Sequence, residues 1–206
     1  MGRAATDKRD RLVTAAIERF HQQGYARTSL AEVAKTASVA PGNVFYYFKT
    51  KEDLARAVVD EWCRLLAGNL AALDAEPDPW RRLEGFIEQA YTRREMYVVW
   101  GCPLGGLTRD LRQENDVFKR DVARIYGVQF AWLRAQFEFL GFHRTVSKNH
   151  SRFLLAGYQG AILLAFAQND GAFIDQEATS LKSWLTDLRR DLSVCKANAG
   201  GVRRRR

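Results

Sequence analysis

A short segment near the N-terminus carries side chains suited to contacting a nucleic acid. Asn43 can hydrogen-bond a base edge or a phosphate, and the phenols of Tyr46 and Tyr47 combine apolar rings with hydrogen-bonding tips. Gly42 has no side chain and lets the backbone approach a phosphate or base closely. Lys51 follows at the start of the next expected helix, where its ammonium group and the helix dipole both favour a phosphate. These residue types indicate a segment that could read the edge of a duplex.

Two short helices and a tight turn are predicted to position this segment. Ser29, followed three residues later by Glu32, is a capping box, which predicts a helix over about 30–36. A second helix is expected over about 41–47, where Pro41 fits the first turn because no N–H is needed there. The pair is a helix-turn-helix, whose second helix enters the roughly 12 Å wide major groove of DNA.

The same segment also allows a purely structural interpretation, in which its aromatic side chains fill a core. We expect core packing for Phe48 and in part for Phe45. Tyr46 and Tyr47 cannot both point inward, because neighbouring residues on a helix face different directions. A buried role for both tyrosines is therefore disfavoured.

The rest of the chain is also predicted to be helical, which gives an all-α fold class. Apolar residues recur at helical spacing, strand-like alternation is missing, and four prolines interrupt 206 residues. The expected helices cover about 8–23, 30–36, 41–47, 50–73, 79–99, a short stretch to 114, 116–140, 147–169 and 177–197. The expected domains are a helix-turn-helix domain over 1–54, a helical domain over 55–197 and a basic flexible tail over 198–206.

Charge distinguishes the two ends of the chain from its middle. Of the net charge of +8, residues 1–54 carry +3, residues 55–195 carry zero and residues 196–206 carry +5. A basic end on a neutral body is typical of a phosphate-binding module joined to a domain of another kind. The run Arg203–Arg206 is either an inert tail or a tail that attracts DNA without sequence preference.

Composition and motif content argue against several classes of protein. An apolar share of 47% argues against disorder. A membrane span is not expected, because the sequence has no run of about 18 apolar residues without a charge. The start of the chain lacks a signal-peptide pattern, so a cytoplasmic location is expected. Three cysteines and three scattered histidines predict no metal site and no cofactor. No common hydrolase, metalloprotease or nucleotide-binding motif occurs, so we expect a protein that is not an enzyme.

Cys102 is a candidate reactive residue. It precedes Pro103, which places it at the N-cap of the helix expected to end near residue 114, where the dipole favours a thiolate. The pattern raises the hypothesis that Cys102 senses electrophiles or oxidants, with an inert cysteine in a tight turn as the alternative. A thiol-dependent enzyme or redox protein using Cys102 is the competing function.

Three stretches of the N-terminal segment match a known pattern in order and spacing over about residues 8–55. They are Phe20-x-x-x-Gly24-Tyr25-x-x-Thr28-Ser29-Leu30, Val33-Ala34-x-x-Ala37-x-Val39 and Gly42-Asn43-Val44-Phe45-Tyr46-Tyr47-Phe48-Lys49-Thr50-Lys51-Glu52-Asp53-Leu54. The segment thereby resembles the TetR family of transcriptional regulators. Ala40 and Pro41 depart from the polar residues that relatives often have before and within the second helix.

The resemblance implies an all-helical homodimer that acts as a ligand-responsive transcriptional repressor. It is expected to bind a palindromic DNA operator and to be released by a small-molecule or electrophile effector. Its DNA contacts are expected from Thr28, Ser29, Ala40, Pro41, Gly42, Asn43, Phe45, Tyr46, Tyr47 and Lys51. Its effector contacts are expected from Tyr91, Trp100, Cys102, Leu104, Tyr126 and Phe130. Its dimer interface is expected from Ala156, Gly157, Gly160, Leu164, Trp184 and Leu188. A helical adaptor that binds only protein would explain the helices but not the tyrosine-bearing segment.

Overall fold

The computed structural model describes residues 2–114 and 116–203, with side chains for 7–114 and 116–194. Within these residues every regular element is helical, which confirms the all-α prediction. The α-helices are α1 (Gly2–Gln23), α2 (Leu30–Thr36), α3 (Pro41–Tyr47), α4 (Lys51–Leu73), α5 (Pro79–Thr92), α6 (Arg94–Trp100), α7 (Pro103–Glu114), α8 (Lys119–Phe139), α9 (Arg144–Gln168) and α10 (Ala172–Arg203). A 3₁₀ turn at Asp116–Phe118 precedes α8.

The helix-turn-helix forms with the predicted bounds because its ends are capped by local side chains. The Ser29 hydroxyl accepts from the Glu32 N–H at 3.2 Å, and the Glu32 carboxylate accepts from the Ser29 N–H at 2.8 Å. Thr50 and Asp53 make the same reciprocal pair at the start of α4, with both distances 3.1 Å. Each pair satisfies backbone donors that the first turn of a helix leaves open.

The prediction of a single helix over 79–99 is wrong, because the helix is interrupted at Arg93, between α5 and α6. Arg93 has φ −110° and ψ 14°, outside the helical region. One residue earlier, the Thr92 hydroxyl donates to the Gln89 carbonyl at 3.1 Å. Such a bond competes with the backbone ladder and favours a bend, although neither proline nor glycine marks it in the sequence.

Other bounds in the second half also differ from the prediction. The first turn of the helix predicted over 116–140 is instead the 3₁₀ turn at Asp116–Phe118. The helix predicted over 147–169 begins earlier, at Arg144, because His143 Nδ1 accepts from the Thr145 N–H at 3.4 Å. The last helix starts at Ala172, whose N–H donates to the Asp170 carboxylate at 2.8 Å. It extends through the start of the tail predicted at 198, and the end of the Arg203–Arg206 run lies outside the described residues.

Two compact units make up the chain. The first is Met1–Asn69 with Trp100–Gln129, and the second is Leu70–Val99 with Phe130–Arg206. The functional division predicted at residue 54 stays a prediction. The first unit holds α1 to α3, most of α4, α7 and the first half of α8, so the helix-turn-helix shares its unit with α7.

The core of the first unit joins the helix-turn-helix to α7. Its buried side chains include Leu12, Ala16 and Phe20 of α1, Val33 and Ala34 of α2, Val44 of α3, Leu54 and Val58 of α4, Leu104, Leu107 and Leu111 of α7, and Ile125 of α8. Burial of apolar area on this scale is what holds short helices such as α2 and α3 in place. Among the described helices, none combines the length and apolar character that crossing a bilayer requires.

Candidate nucleic-acid interface

The second helix of the helix-turn-helix, α3, exposes most of its side chains. Val44 is its one buried residue, while Phe45 is 55% exposed and Tyr46 is 74% exposed. Phe48, just after α3, is buried as predicted, but the expectation that Phe45 would pack partly in the core is wrong. One inward anchor fixes α3, and an apolar ring and a phenol face outward. This is the arrangement a groove-reading helix requires.

The two tyrosines of α3 have different roles. Their rings meet edge to face with centroids 5.0 Å apart. Tyr47 is half-buried and packs against the core of the first unit, whereas Tyr46 is exposed. The prediction that both do not point inward is confirmed. Tyr47 therefore braces the ring of Tyr46, whose hydroxyl group faces solvent.

The start of α3 is open to a partner. Ala40, Pro41, Gly42 and Asn43 are all exposed, and Ala40 makes no side-chain cap. A Cβ added to Gly42 would meet no atom within 4 Å. Packing inside the chain therefore does not require glycine here, and close approach of DNA to Gly42 stays a prediction.

Lys51 is engaged inside the domain as well as near the expected interface. Its Nζ donates to the Ala26 carbonyl at 3.1 Å and lies 4.1 Å from the centroid of the Tyr25 ring. Burial lowers the pKa of Lys51, and burial also raises the pKa of Tyr25 to about 12. The half-buried ammonium group thus ties α4 to the segment before α2. The sequence pattern did not predict this structural role.

Thr28 and Ser29 support the start of α2. Thr28 is 2% exposed; its hydroxyl donates to the Gly24 carbonyl at 2.8 Å and accepts from Gln23 Nε2 at 3.1 Å. Ser29 is exposed. Its hydroxyl donates to the Glu32 carboxylate and accepts from the Glu32 N–H. Direct DNA contacts from these two side chains stay a prediction.

The structure adds basic side chains that the sequence pattern did not single out. Arg27 before α2, Lys35 in the last turn of α2 and Lys49 just after α3 are all exposed. Lys49 Nζ donates to the Phe45 carbonyl at 2.9 Å, which places this ammonium group at the C-terminal end of α3. Their signal in the sequence was a basic residue before α2, one near the end of α2 and one after α3. They can attract phosphates whatever the base sequence.

Three residues expected to contact an effector lie close together at the start of α7. The Gly105 N–H donates to Cys102 Sγ at 3.4 Å, so Cys102 caps α7 as predicted. A Cβ on Gly105 would lie 3.5 Å from Cys102 Cβ and 3.9 Å from the Tyr126 hydroxyl oxygen. Leu104 beside them is buried, and burial is the main cause of a raised pKa at Tyr126. We call Cys102, Gly105 and Tyr126 the α7 cluster.

The remaining effector candidates are placed elsewhere. Trp100 is 48% exposed in the first unit, and its carbonyl lies 3.1 Å from His21 Nε2. Tyr91 and Phe130 belong to the second unit, where they are exposed. The six candidates are therefore divided between two units, and only the α7 cluster with Leu104 forms a local group.

The residues expected at a dimer interface lie on α9 and α10. Gly160 and the 47% exposed Leu164 leave an open apolar surface on α9. A Cβ on Gly157 would collide with the Glu177 carboxylate and lie 3.6 Å from Leu181 Cδ2, so Gly157 serves packing of α9 on α10. Further large apolar residues are exposed on α9, among them Phe153, Leu163 and Phe166.

The α10 members of the expected interface are partly used within the chain. Trp184 is half-buried, and its ring centroid lies 4.7 Å from that of Phe153 and 5.4 Å from that of His150. Leu188 and exposed Ala156 complete the expected set. Across the part of the chain with described side chains, no group of three His, Cys, Asp or Glu could hold a metal ion.

The fold and the exposed α3 define a helix-turn-helix DNA-binding domain. Residues 12–58 match the family described as "Bacterial regulatory proteins, tetR family", so this segment is similar to the DNA-binding domain of those regulators. The HTH-type transcriptional repressor DhaR of Mycobacterium sp. (strain GP1) is 26% identical over 184 residues, which cover 85% of this chain and 91% of DhaR. The match to an HTH-type transcriptional regulator of Lactococcus lactis is 22% identical over 121 residues, 57% of this chain and 62% of that protein.

Solved structures share the fold over most of the chain. The reduced form of Escherichia coli NemR has a TM-score of 0.74 at 19% identity, covering 85% of this chain and 96% of NemR. Bacillus subtilis FadR in complex with stearoyl-CoA has a TM-score of 0.65 at 16% identity, covering 85% of this chain and 96% of FadR. At these identities the likeness shows a common fold.

Proposed function

We propose that this regulator is a repressor that binds a palindromic operator as a homodimer and releases it when an effector binds. The observation that carries the proposal is the construction of α3. Its inner side is fixed by Val44 and Tyr47, while Asn43, Phe45 and Tyr46 face solvent. A rigid helix with an exposed amide, ring and phenol can hydrogen-bond base edges and contact a thymine methyl group.

The exposed apolar face of α9 supports the homodimer. Leu163 is 64% exposed and Leu164 is 47% exposed, although both are large apolar residues. Pairing this face with a second copy would remove it from water, which is the main favourable term in association. Two copies would present two α3 helices to half-sites about 34 Å apart, one turn of the DNA helix.

The α7 cluster supports an effector site in the first unit. A thiol and a phenol converge on Gly105, which offers a small apolar or electrophilic molecule a nucleophile and a hydrogen-bonding group. FadR, a structural relative, has been solved with stearoyl-CoA. A small-molecule effector and a reactive Cys102 are both part of this proposal, and a thiol-dependent enzyme is the function it competes with.

Selection of bound duplexes from a random library tests the proposal. The full-length chain should enrich a palindromic sequence, and its affinity should fall steeply with salt as counterions return to the phosphates. Asn43→Ala should change the preferred base at one position of each half-site, whereas Asn149→Ala, at an exposed amide on α9, should not. An enzyme or a protein adaptor would enrich no sequence, and that result would refute the proposal.

Tyr47 and Lys51 are expected DNA contacts that also pack within the domain. Tyr47→Ala and Lys51→Ala should weaken binding to all duplexes alike. Since both side chains also pack within the domain, each variant should lower the unfolding temperature as well. Tyr46→Ala removes an exposed ring and should weaken binding without that loss of stability.

A further inference from the structure

The turn between α2 and α3 contains a left-handed residue that is not glycine. Ala37 caps α2, and Ser38 follows with φ 52°. The Val39 N–H donates to the Ala34 carbonyl at 2.9 Å, and the Ser38 N–H donates to the Lys35 carbonyl at 3.1 Å. This pair of bonds is a Schellman motif, a common helix ending. Because a side chain disfavours the left-handed region, contacts from outside the turn can add to the Schellman bonds in stabilising this conformation.

Arg11 of α1 supplies such contacts. Its Nη2 donates to the Ala37 carbonyl and, at 3.0 Å, to the Ser38 carbonyl. Neither of these carbonyls accepts a Schellman bond, so both are free to accept from the guanidinium group of Arg11. Its Nη1 lies 3.8 Å from the Asp7 carboxylate, one helical turn earlier on α1. The donors of a guanidinium group are coplanar and rigid, so these contacts constrain direction as well as distance.

The turn adds to Val44 and Tyr47 in fixing the orientation of α3. The helix has seven residues, one of them buried, and its N-cap Ala40 forms no side-chain hydrogen bond. Between Ser38 and α3 lie only Val39 and Ala40, so a rotation at Ser38 passes directly to the exposed face of α3.

We infer that Arg11 is a positioning residue for DNA reading, which fixes the turn against α1 and so sets the angle at which α3 meets the duplex. This inference rests on the proposed DNA-reading function of α3. It assigns to α1 a part in sequence discrimination without requiring that Arg11 touch a base.

Two other roles for Arg11 predict different results. A contact that only stabilises the fold loses its effect on DNA binding once stability is restored by another change. A direct phosphate contact weakens binding to every sequence and reduces the slope of log affinity against log salt by about one. A positioning role weakens binding to the preferred duplex and leaves the scrambled duplex and the salt slope nearly unchanged.

Fluorescence anisotropy with the full-length protein separates these roles. The probes are the duplex that the wild-type chain selects from a random library and a scrambled duplex of the same composition. Arg11→Ala should lose about tenfold in affinity for the selected duplex, the order of one good base contact, and less than about twofold for the scrambled one. Arg11→Lys should recover part of the loss, because an ammonium group lacks the planar fork.

Arg64→Ala is the matched control for charge. Arg64 is an exposed arginine on α4 that pairs with Glu61 at 2.8 Å through Nε, so its loss lowers the net charge equally. This variant should bind both duplexes like the wild-type chain. An effect equal to that of Arg11→Ala would mean that net charge, and not the turn, accounts for the loss.

The double variant Arg11→Ala/Ser38→Gly separates positioning from stability. Glycine accepts the left-handed conformation and should restore the unfolding temperature, but it leaves the turn untied to α1. A selected-duplex affinity that stays low supports the inference. Recovery of affinity together with stability, a reduced salt slope or equal losses on both duplexes overturns it. If the wild-type chain selects no duplex, the proposed function fails and the inference fails with it.

Discussion

Asp110 of α7 makes a bond to the helix-turn-helix whose loss can be predicted in magnitude. Its Oδ2 accepts from the Tyr25 N–H at 2.9 Å, and Oδ1 accepts from Arg109 Nη2 at 2.9 Å. The Asp110 side chain is 13% exposed and Tyr25 is 1% exposed. In Asp110→Ala the Tyr25 N–H therefore loses a charged acceptor at a site that water reaches poorly.

The expected cost follows from the kind of bond that is lost. Hydrogen bonds to charged groups contribute about 1.5–3 kcal/mol, and bonds between neutral groups contribute about 0.5–1.5 kcal/mol. We therefore expect Asp110→Ala to lower the free energy of unfolding by about 2 kcal/mol. Asp110→Asn keeps an oxygen acceptor without the charge and should cost about 1 kcal/mol.

Urea unfolding measures this cost through the midpoint at an unchanged m-value. Asp116→Ala is the matched control, because Asp116 pairs with Arg112 at 3.5 Å but its side chain is 91% exposed. Such a surface pair contributes about 0–1 kcal/mol. Hydrogen exchange at the Tyr25 amide reports the bond locally and should quicken in Asp110→Ala. Equal midpoints for Asp110→Ala and Asp116→Ala, with Tyr25 exchange unchanged, would refute the reasoning.

Three further predictions follow from single side chains. Ser38→Gly should raise the free energy of unfolding by about 0.5–1 kcal/mol in thermal or urea unfolding, while Ser38→Ala should not, because only glycine fits φ 52° without strain. Burial lowers the pKa of His150 below 6.5, so the stability of the wild-type chain should fall as pH drops below that value, and His150→Phe should remove this dependence in unfolding midpoints measured at each pH. Leu164→Glu should convert the proposed dimer to a monomer in analytical ultracentrifugation, whereas Gln168→Glu, the same change at an exposed polar position on α9, should leave it dimeric.

The parts of the fold that were predicted correctly are those encoded locally. The bounds of α2 and the start of α4 follow from side chains three residues apart, Ser29 with Glu32 and Thr50 with Asp53. The core position of Phe48 and the Cys102 cap were also predicted. In each case the decisive contact lies within a few residues along the chain, where spacing alone determines geometry.

The parts that were missed depend on contacts between residues far apart in the chain. The bond from Lys51 to the Ala26 carbonyl spans 25 positions, and the bond from Tyr25 to Asp110 spans 85. Gly157 was assigned to a partner, but the Glu177 carboxylate of α10 occupies the space beside it. Periodicity identifies the buried face of a helix without identifying its neighbour, so such pairs cannot be predicted from spacing.

The path from an effector to DNA can be short in this chain, because α7 belongs to the same compact unit as α3. The end of α1 and the turn after it make two contacts with α7 and the residues before it. His21 Nε2 lies 3.1 Å from the Trp100 carbonyl oxygen, and the Tyr25 N–H donates to Asp110. The α7 cluster begins one residue beyond Gly101, whose carbonyl also lies 3.3 Å from His21 Nε2. A ligand that displaces the start of α7 must therefore strain these contacts, and the strain reaches the helix-turn-helix without crossing into the second unit. A bond that differs between two states is what couples two sites energetically, so Asp110→Ala should reduce the change in DNA affinity that an effector causes, beyond its effect on stability.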